Sequence, residues 1–195
     1  KLQKSGKRIS ESIKRRGKGK VFYTRKVGHF LQFLLDSPII IDADGDYRQP
    51  SELKTIFFET EEEALIALCV YNSSLVYWHF VANSDCRNVN KREVVNFPID
   101  FEALVNSQQG MTLTRLGSEL SESLQEKSES KKMRFSGVIL DIQCFYPKLS
   151  KDIIDQIDTT LSDFYDFSAN ELDYLINYDI KFRAGATTDD NAPEN

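Results

Sequence analysis

The hydrophobic period of this chain changes near Asp100, and that change limits the folds open to it. Before Asp100, apolar residues fall in short runs rich in β-branched and aromatic side chains, each bounded by turn residues. These are Val21-Phe22-Tyr23-Thr24, Pro38-Ile39-Ile40-Ile41 and Thr55-Ile56-Phe57-Phe58-Glu59, and such runs predict strands. A further run, Val94–Ile99, contains Pro98 and reads as an edge strand or a strand end. Helices are expected between these runs. Thr60-Glu61-Glu62-Glu63 has the capping-box pattern, with acidic residues suited to the helix dipole, and opens a helix whose apolar face is Ala64, Leu65, Ala67 and Leu68. Asn72-Ser73-Ser74 breaks that helix: Asn tolerates the left-handed C-terminal conformation, and Ser caps a second helix over 74–83.

After Asp100 the spacing is helical. Leu113, Leu116, Leu120 and Leu124 recur every three or four residues. Glu119, Glu122, Glu126 and Glu129 mix with Lys127, Lys131, Lys132 and Arg134 on exposed faces. Residues 137–146 are β-prone. Ser150 is placed to cap a helix carrying Ile153, Ile154, Ile157, Leu161 and Phe164, and Ser168-Ala169-Asn170-Glu171 is a second capping box ahead of Leu172, Leu175 and Ile176. The expected class is α+β: a small mixed or antiparallel sheet with helices in the front portion and a helical C-terminal portion. The expected division is a flexible basic linker over 1–20, an α/β portion over 21–100, a mainly helical portion over 101–184 and a disordered tail over 185–195.

At 195 residues with 41% hydrophobic and 28% charged, the chain suits one or two globular domains. No apolar run approaches the roughly 18–20 residues that cross a bilayer, so no membrane partner is expected. The opening KLQKSGKRIS has no apolar core like that of a signal peptide, and it lacks an initiator Met, which reads as a piece of a longer protein. Cys69, Cys86 and Cys144 are widely spaced, with no CxxC pair, and only His29 and His79 could join them as zinc ligands. Neither a disulfide framework nor a metal site is expected, and a reducing cytoplasm is the natural compartment.

The formal charge of −5 hides a polarity: residues 1–26 hold eleven Lys or Arg and a single Glu, whereas residues 152–195 hold eleven Asp or Glu against Lys181 and Arg183. The basic end either faces a polyanion or is a solvated linker.

No GxSxG, HExxH or GxxxxGK[ST] motif is present. Asp42, Asp44 and Asp46 with Gly45 share part of a calcium loop. The glycine is fourth rather than sixth, however, and Leu53 stands at the twelfth position where Glu is needed, so a solvated turn is expected. Asp42 or Asp44 with Glu52 and Lys54 has the residue types of an Mg²⁺-dependent nuclease, a lesser reading that a plain loop also satisfies. His29 and His79 have no Ser or Cys nucleophile at a catalytic spacing and read as packing residues. Tyr71, Tyr77, Trp78 and Phe80 lie at helical spacing and read as core.

The segment SDCRNVNKRE is the most informative. Arg87, Asn88, Asn90, Lys91 and Arg92 bring guanidinium, carboxamide and ammonium groups into one loop. Guanidinium forks read guanine or clamp phosphate, carboxamides read adenine, and Lys neutralises phosphate. A solvated turn with Asn as a cap accounts for the same residues.

ALCVYNSSLVYWHFVANSDCRNVNKREVVNFPI resembles the Leu-Asn-Ser helix and the Cys-Arg-x-Leu-Asn-Lys-Arg-Glu-Ile…Phe-Pro-Ile stretch of adenine-specific DNA methyltransferases from type II restriction–modification systems. There it belongs to the C-terminal, TaqI-like target-recognition (specificity) region. KDIIDQIDTTLSDFYDFSANELDYLINYDIKFR is similar to the tail of the same enzymes, and KVFYTRKVGHFLQFL to the aromatic–basic entry to that region. Val89 stands where Leu is usual, Asp166 where Gly is usual and Phe182 where Tyr is usual. The resemblance implies a DNA-binding specificity domain spanning most of residues 20–184, and it places Arg87, Asn88, Asn90, Lys91 and Arg92 at double-stranded DNA. Arg25, Lys26 and Arg48 are weaker candidates for phosphate contacts. The family's Asn/Asp-Pro-Pro-Tyr/Phe motif and glycine-rich S-adenosylmethionine site are missing from this chain. The expected chain is therefore non-catalytic, with cofactor and methyl transfer in an upstream domain of the same polypeptide. A different class of function is a protein–protein scaffold, its acidic helical back (150–180) docking on the methyltransferase or a restriction subunit without touching DNA.

Overall fold

The protein is described by a computed structural model covering Leu2 and residues 6–27, 30–135 and 137–180. Strands β1 (Gly19–Thr24), β2 (Phe33–Leu34), β3 (Ile40–Ile41) and β4 (Leu53–Phe58) lead into helices α1 (Glu61–Asn72) and α2 (Ser74–Asn83). Short helices α3 (Lys91–Val95) and α4 (Phe101–Val105) precede the long α5 (Gln108–Glu126). The hairpin β5 (Glu129–Phe135) and β6 (Val138–Cys144) then gives way to α6 (Lys151–Tyr165) and α7 (Ala169–Asn177). Two antiparallel sheets result, β2-β1-β4 and β3-β6-β5. The expected α+β class is what the chain adopts.

The first sheet is built on alternation. Gly19, Val21 and Tyr23 of β1 and Ile56 and Phe58 of β4 turn inward, in the register Gly19–Phe58 and Val21–Ile56. Helix α1 covers that face and is itself buried nearly all round, from Ala64 to Asn72, because α5 and α6 pack on its far side. Half of its cap forms as expected, the Thr60 hydroxyl accepting the Glu63 N–H at 3.1 Å; the Glu63 carboxylate reaches one residue beyond the cap, to the N–H of Glu59 at 2.9 Å, rather than to that of Thr60. Leu113, Leu116, Leu120 and Leu124 of α5 and Ile154, Ile157 and Leu161 of α6 join the same core. Residues 21–100 and 101–180 thus share one hydrophobic interior rather than forming separate bodies.

Asn72 differs from expectation. It is helical and 4% exposed, and its carboxamide acts as a surrogate strand: Oδ1 accepts the Phe33 N–H at 3.2 Å, and Nδ2 donates to the Phe33 carbonyl at 3.1 Å. Ser73 makes the break instead, extended at φ −68°, ψ 154°, with its hydroxyl accepting the Val76 N–H. Asp158 of α6 anchors the same corner, accepting the Ser74 N–H at 2.8 Å. The Ser168 capping box forms. Ser150 makes no side-chain cap and pairs with the Ser123 hydroxyl at 2.8 Å. Asp166, where the resemblance has Gly, is left-handed at φ 56°, a conformation Asp tolerates better than most residues.

Three further expectations are corrected. The basic segment expected as a flexible linker is anchored at several points: Ile9 is fully buried, its N–H donates to the Phe97 carbonyl, and the Lys14 N–H donates to the Phe57 carbonyl. Gly17 and Gly19 mark close approach, since a Cβ on them would lie 1.8 Å from the Phe58 oxygen and 2.0 Å from the Thr60 oxygen. Val94–Ile99 is not a strand: residues 91–95 are helical because Asn90 caps them, its N–H donating to Glu93 Oε2 at 2.9 Å. Residues 129–135, expected on a helix face, are β5, drawn into pairing by the turn at Gly137 (φ 86°) and the β-prone 138–144. The tail 185–195 and His29 lie outside the described residues.

Among the described residues no single helix is long and apolar enough to cross a membrane. The α1–α2 pair passes such a test together but is bent by 58°, and α1 and the first half of α2 are core.

Candidate nucleic-acid interface

The loop between α2 and α3 is fixed from below by one apolar side chain. Val89, 3% exposed, plugs the core, and its N–H donates to the Arg25 carbonyl at 2.9 Å. Lys26 and Asn88 form an antiparallel bridge beside it. The end of β1 is thereby stitched to the loop, which brings Arg25 and Lys26 alongside Asn88 and Asn90. Arg25 Nη2 donates to Asn90 Oδ1 at 3.4 Å, and Asn90 Nδ2 donates to the Asn88 carbonyl at 3.3 Å.

Short side-chain turns shape the rest. The Ser84 hydroxyl accepts the Cys86 N–H at 3.1 Å, and Asp85 Oδ1 accepts the Arg87 N–H at 3.0 Å. Cys86 between them is left-handed at φ 58°, a conformation that costs a non-glycine residue about 1–2 kcal/mol. The Arg87 N–H bond holds the Asp85 carboxyl below its usual range, so it stays ionised. Arg92 donates from Nε and Nη2 to Glu93 Oε1 at 3.2 and 2.9 Å. Arg87 and Lys91 are exposed and make no side-chain hydrogen bond or ion pair among the described residues. Five cations (Arg25, Lys26, Arg87, Lys91, Arg92) therefore face two carboxylates, Asp85 and Glu93, both already engaged. The outward cations suit phosphate oxygens or base edges, while Asn90 positions and Val89 supports.

Sequence reasoning missed the part played by the N-terminal arm. Arg8 Nη1 donates to the Asn96 carbonyl at 3.2 Å, and Lys7 pairs with Asp100 at 3.0 Å, which raises the ammonium above its ordinary range. Behind the loop, Arg8, Arg92, Val89, His79 and Asn83 line part of a cavity of ≈ 510 Å³. His79 packs edge-on against Phe97, with ring centroids 5.2 Å apart, and burial lowers its pKa, which favours neutral imidazole. The one available signal was the pair Ile9 and Ile13, apolar residues four apart in a basic run.

Arg48 is not part of this cluster. Its Nε donates to Asp42 Oδ2 at 2.8 Å, and the Asp42 Oδ1 accepts the N–H groups of Asp44 and Asp46 at 3.1 and 3.0 Å. This is the solvated turn, closed by its own cation. The Asp42 carboxylate of the nuclease reading is committed to that turn, and among the described residues no three His, Cys, Asp or Glu side chains converge. Of the helical back over 150–180 offered for scaffold docking, the apolar side of α6 (Ile154, Ile157, Leu161) is buried in the core, while Tyr174 of α7 is exposed. Among the described residues the three cysteines are free thiols; Cys69 donates to the Leu113 carbonyl, and burial pushes its pKa up.

Comparison with protein-family models, with curated proteins and with solved structures gives no match to this chain.

Proposed function

We propose that this chain is a target-recognition module for double-stranded DNA, carrying no catalytic group of its own. Its partner in this reading is the methyl-transfer domain of an adenine-specific DNA methyltransferase, which holds S-adenosylmethionine and acts on an adenine extruded from the stack. The supporting observation is the mounting of the 85–92 loop: Val89 is locked in the core and the β1 end is stitched to its side, while Arg87 and Lys91 point outward without partners among the described residues. A rigid support of this kind keeps the ordering cost of binding small. Phosphate contacts from Lys91, Lys26 and Arg92 fix register, and Arg87, with its free guanidinium fork, is the group suited to a base edge.

The test is fluorescence anisotropy of the chain with a labelled mixed-sequence duplex across a salt series. R87A/K91A is expected to lower the slope of log affinity against log salt by roughly 1, for the Lys91 phosphate contact at about 0.9 per contact, and to weaken binding further through the lost Arg87 base contact. Binding by the wild type that ignores salt, or a double variant with an unchanged slope, contradicts the loop assignment.

A further inference from the structure

The β5–β6 hairpin departs from the rest of the molecule in that neither face of its free end is packed by the described residues. Cross-strand register puts Phe135 with Val138 and Met133 with Leu140 on one face, and Arg134 with Ile139 and Lys132 with Asp141 on the other. All seven residues of β5 are exposed, as are Val138 and Ile139. Antiparallel sheets ordinarily cover one face and wet the other, so a ribbon open on both sides calls for a different occupant than a flat docking surface does.

The ribbon is not floppy at its root. The Gln143 side chain donates to Gln125 Oε1 and to the Ser128 hydroxyl at 2.9 Å each, and accepts the Ile39 N–H at 3.2 Å. Lys132 and Arg134 lie on the same face. Beyond the Lys132–Asp141 pair the ribbon carries Arg134 and no carboxylate, and Asp141 itself accepts a hydrogen bond from the Ser130 hydroxyl. Lys131 is turned back toward Glu129 at 3.8 Å and over the Tyr146 ring at 5.1 Å. The free end is thus cationic on one face with an apolar tip.

Strands about 4.8 Å apart make a two-stranded ribbon narrow enough for the major groove of B-DNA, about 12 Å wide and about 8.5 Å deep. In a groove both faces meet a wall, which matches a ribbon open on both sides. A protein partner laid against the sheet covers one face and leaves the other wet.

We propose that the β5–β6 hairpin is a second nucleic-acid contact, entering a groove of double-stranded DNA with Lys132 and Arg134 on the phosphate backbone and the tip pair Phe135 and Val138 against base edges. This rests on the reading of the chain as a DNA-recognition module and extends it from one loop to two elements.

The decisive experiment measures the same labelled mixed-sequence duplex against wild type, R87A/K91A and K132A/R134A, with sedimentation of the free protein alongside. K132A/R134A, fully folded by circular dichroism, is expected to lower the salt slope by roughly 2, independently of the loop variant. If wild type binds and the loop variant weakens as expected while K132A/R134A leaves slope and affinity unchanged, the hairpin proposal is wrong and the recognition reading stands. If wild type shows no salt-dependent binding at low ionic strength, the recognition reading fails and takes the hairpin with it. Self-association that F135A/I139A abolishes without changing DNA binding makes the ribbon a protein contact and also overturns the proposal.

Discussion

The two sheets have the same number of strands and the same antiparallel pairing, yet they stand in opposite relation to the core. In β2-β1-β4, Val21 and Phe58 are fully buried under α1 and Ile56 is 5% exposed. In β3-β6-β5, Phe135, Val138 and Ile139 are 47%, 38% and 48% exposed, and among the described residues no helix forms a layer on either side. The difference is in what each strand can bury. β1 and β4 alternate apolar residues toward one helix, whereas β5 interleaves Lys and Arg with Met and Phe and leaves neither side dry. Hydrophobic burial therefore commits the first sheet to stability. The second is held by ladder hydrogen bonds and its Gln143 mount, and is free to serve as surface.

The sharpest way to break this contrast is truncation of one aromatic in each sheet. Phe58→Ala removes a fully buried ring that packs on Phe101, with centroids 5.3 Å apart, and is expected to cost about 3–5 kcal/mol in urea unfolding. Phe135→Ala is expected to stay within about 0.5 kcal/mol of wild type. Similar losses at both positions mean that the second sheet is covered after all. A smaller effect sharpens the first half of the comparison. Asn72→Ala deprives both the N–H and the carbonyl of Phe33 of their partner in a buried site, at about 1–3 kcal/mol. Its signature is faster hydrogen exchange of the Phe33 amide, since β2 pairs with β1 through only two residues of register; an amide that stays protected contradicts the surrogate-strand role.

The elements visible in the sequence were those decided locally. The leucine repeat of α5 and the Thr60 and Ser168 caps depend on neighbours within a few residues, and the β-prone runs of β1 and β4 are legible one by one even though the strands pair with partners farther along the chain. What the sequence concealed depends on distant partners. Ile9 finds Phe97 across most of a hundred residues, and the glycines at 17 and 19 signify contact with residues 58–60 rather than freedom. β5 is a charged segment made into a strand only by β6. In 90–95 a local signal was present and overlooked, as the Asn90–Glu93 capping box outweighs the β-branched Val94-Val95. The loop's chemistry could be read from its composition, but the arrival of Arg25 and Lys26 beside it follows from backbone pairing with 88–89, which no local pattern announces.

The smallest expected effect tests how independent the second sheet is. β3 is extended by residues 47–48, through the Ile41–Tyr47 bridge and the Arg48 N–H to the Ile40 carbonyl, and the Asp42 carboxylate holds that turn together. Its hydrogen bond from Arg48, with those from the Asp46 and Asp44 amides, keeps its pKa below the ordinary carboxylate value. Because the folded pKa is depressed, the turn's stabilisation is complete above the unfolded value of about 3.9 and is lost as pH falls through the lower folded pKa. Acidification should therefore release the turn locally before the core responds. Amide shifts of Asp44 and Asp46 should titrate with an apparent pKa below that of an unstructured aspartate, while those of Val21 and Ile56 stay unchanged over the same range. An Asp42→Asn variant should remove that titration and leave the unfolding midpoint near wild type. If the amides of the two sheets instead move together, the second sheet is coupled to the core and the division of labour between them is wrong.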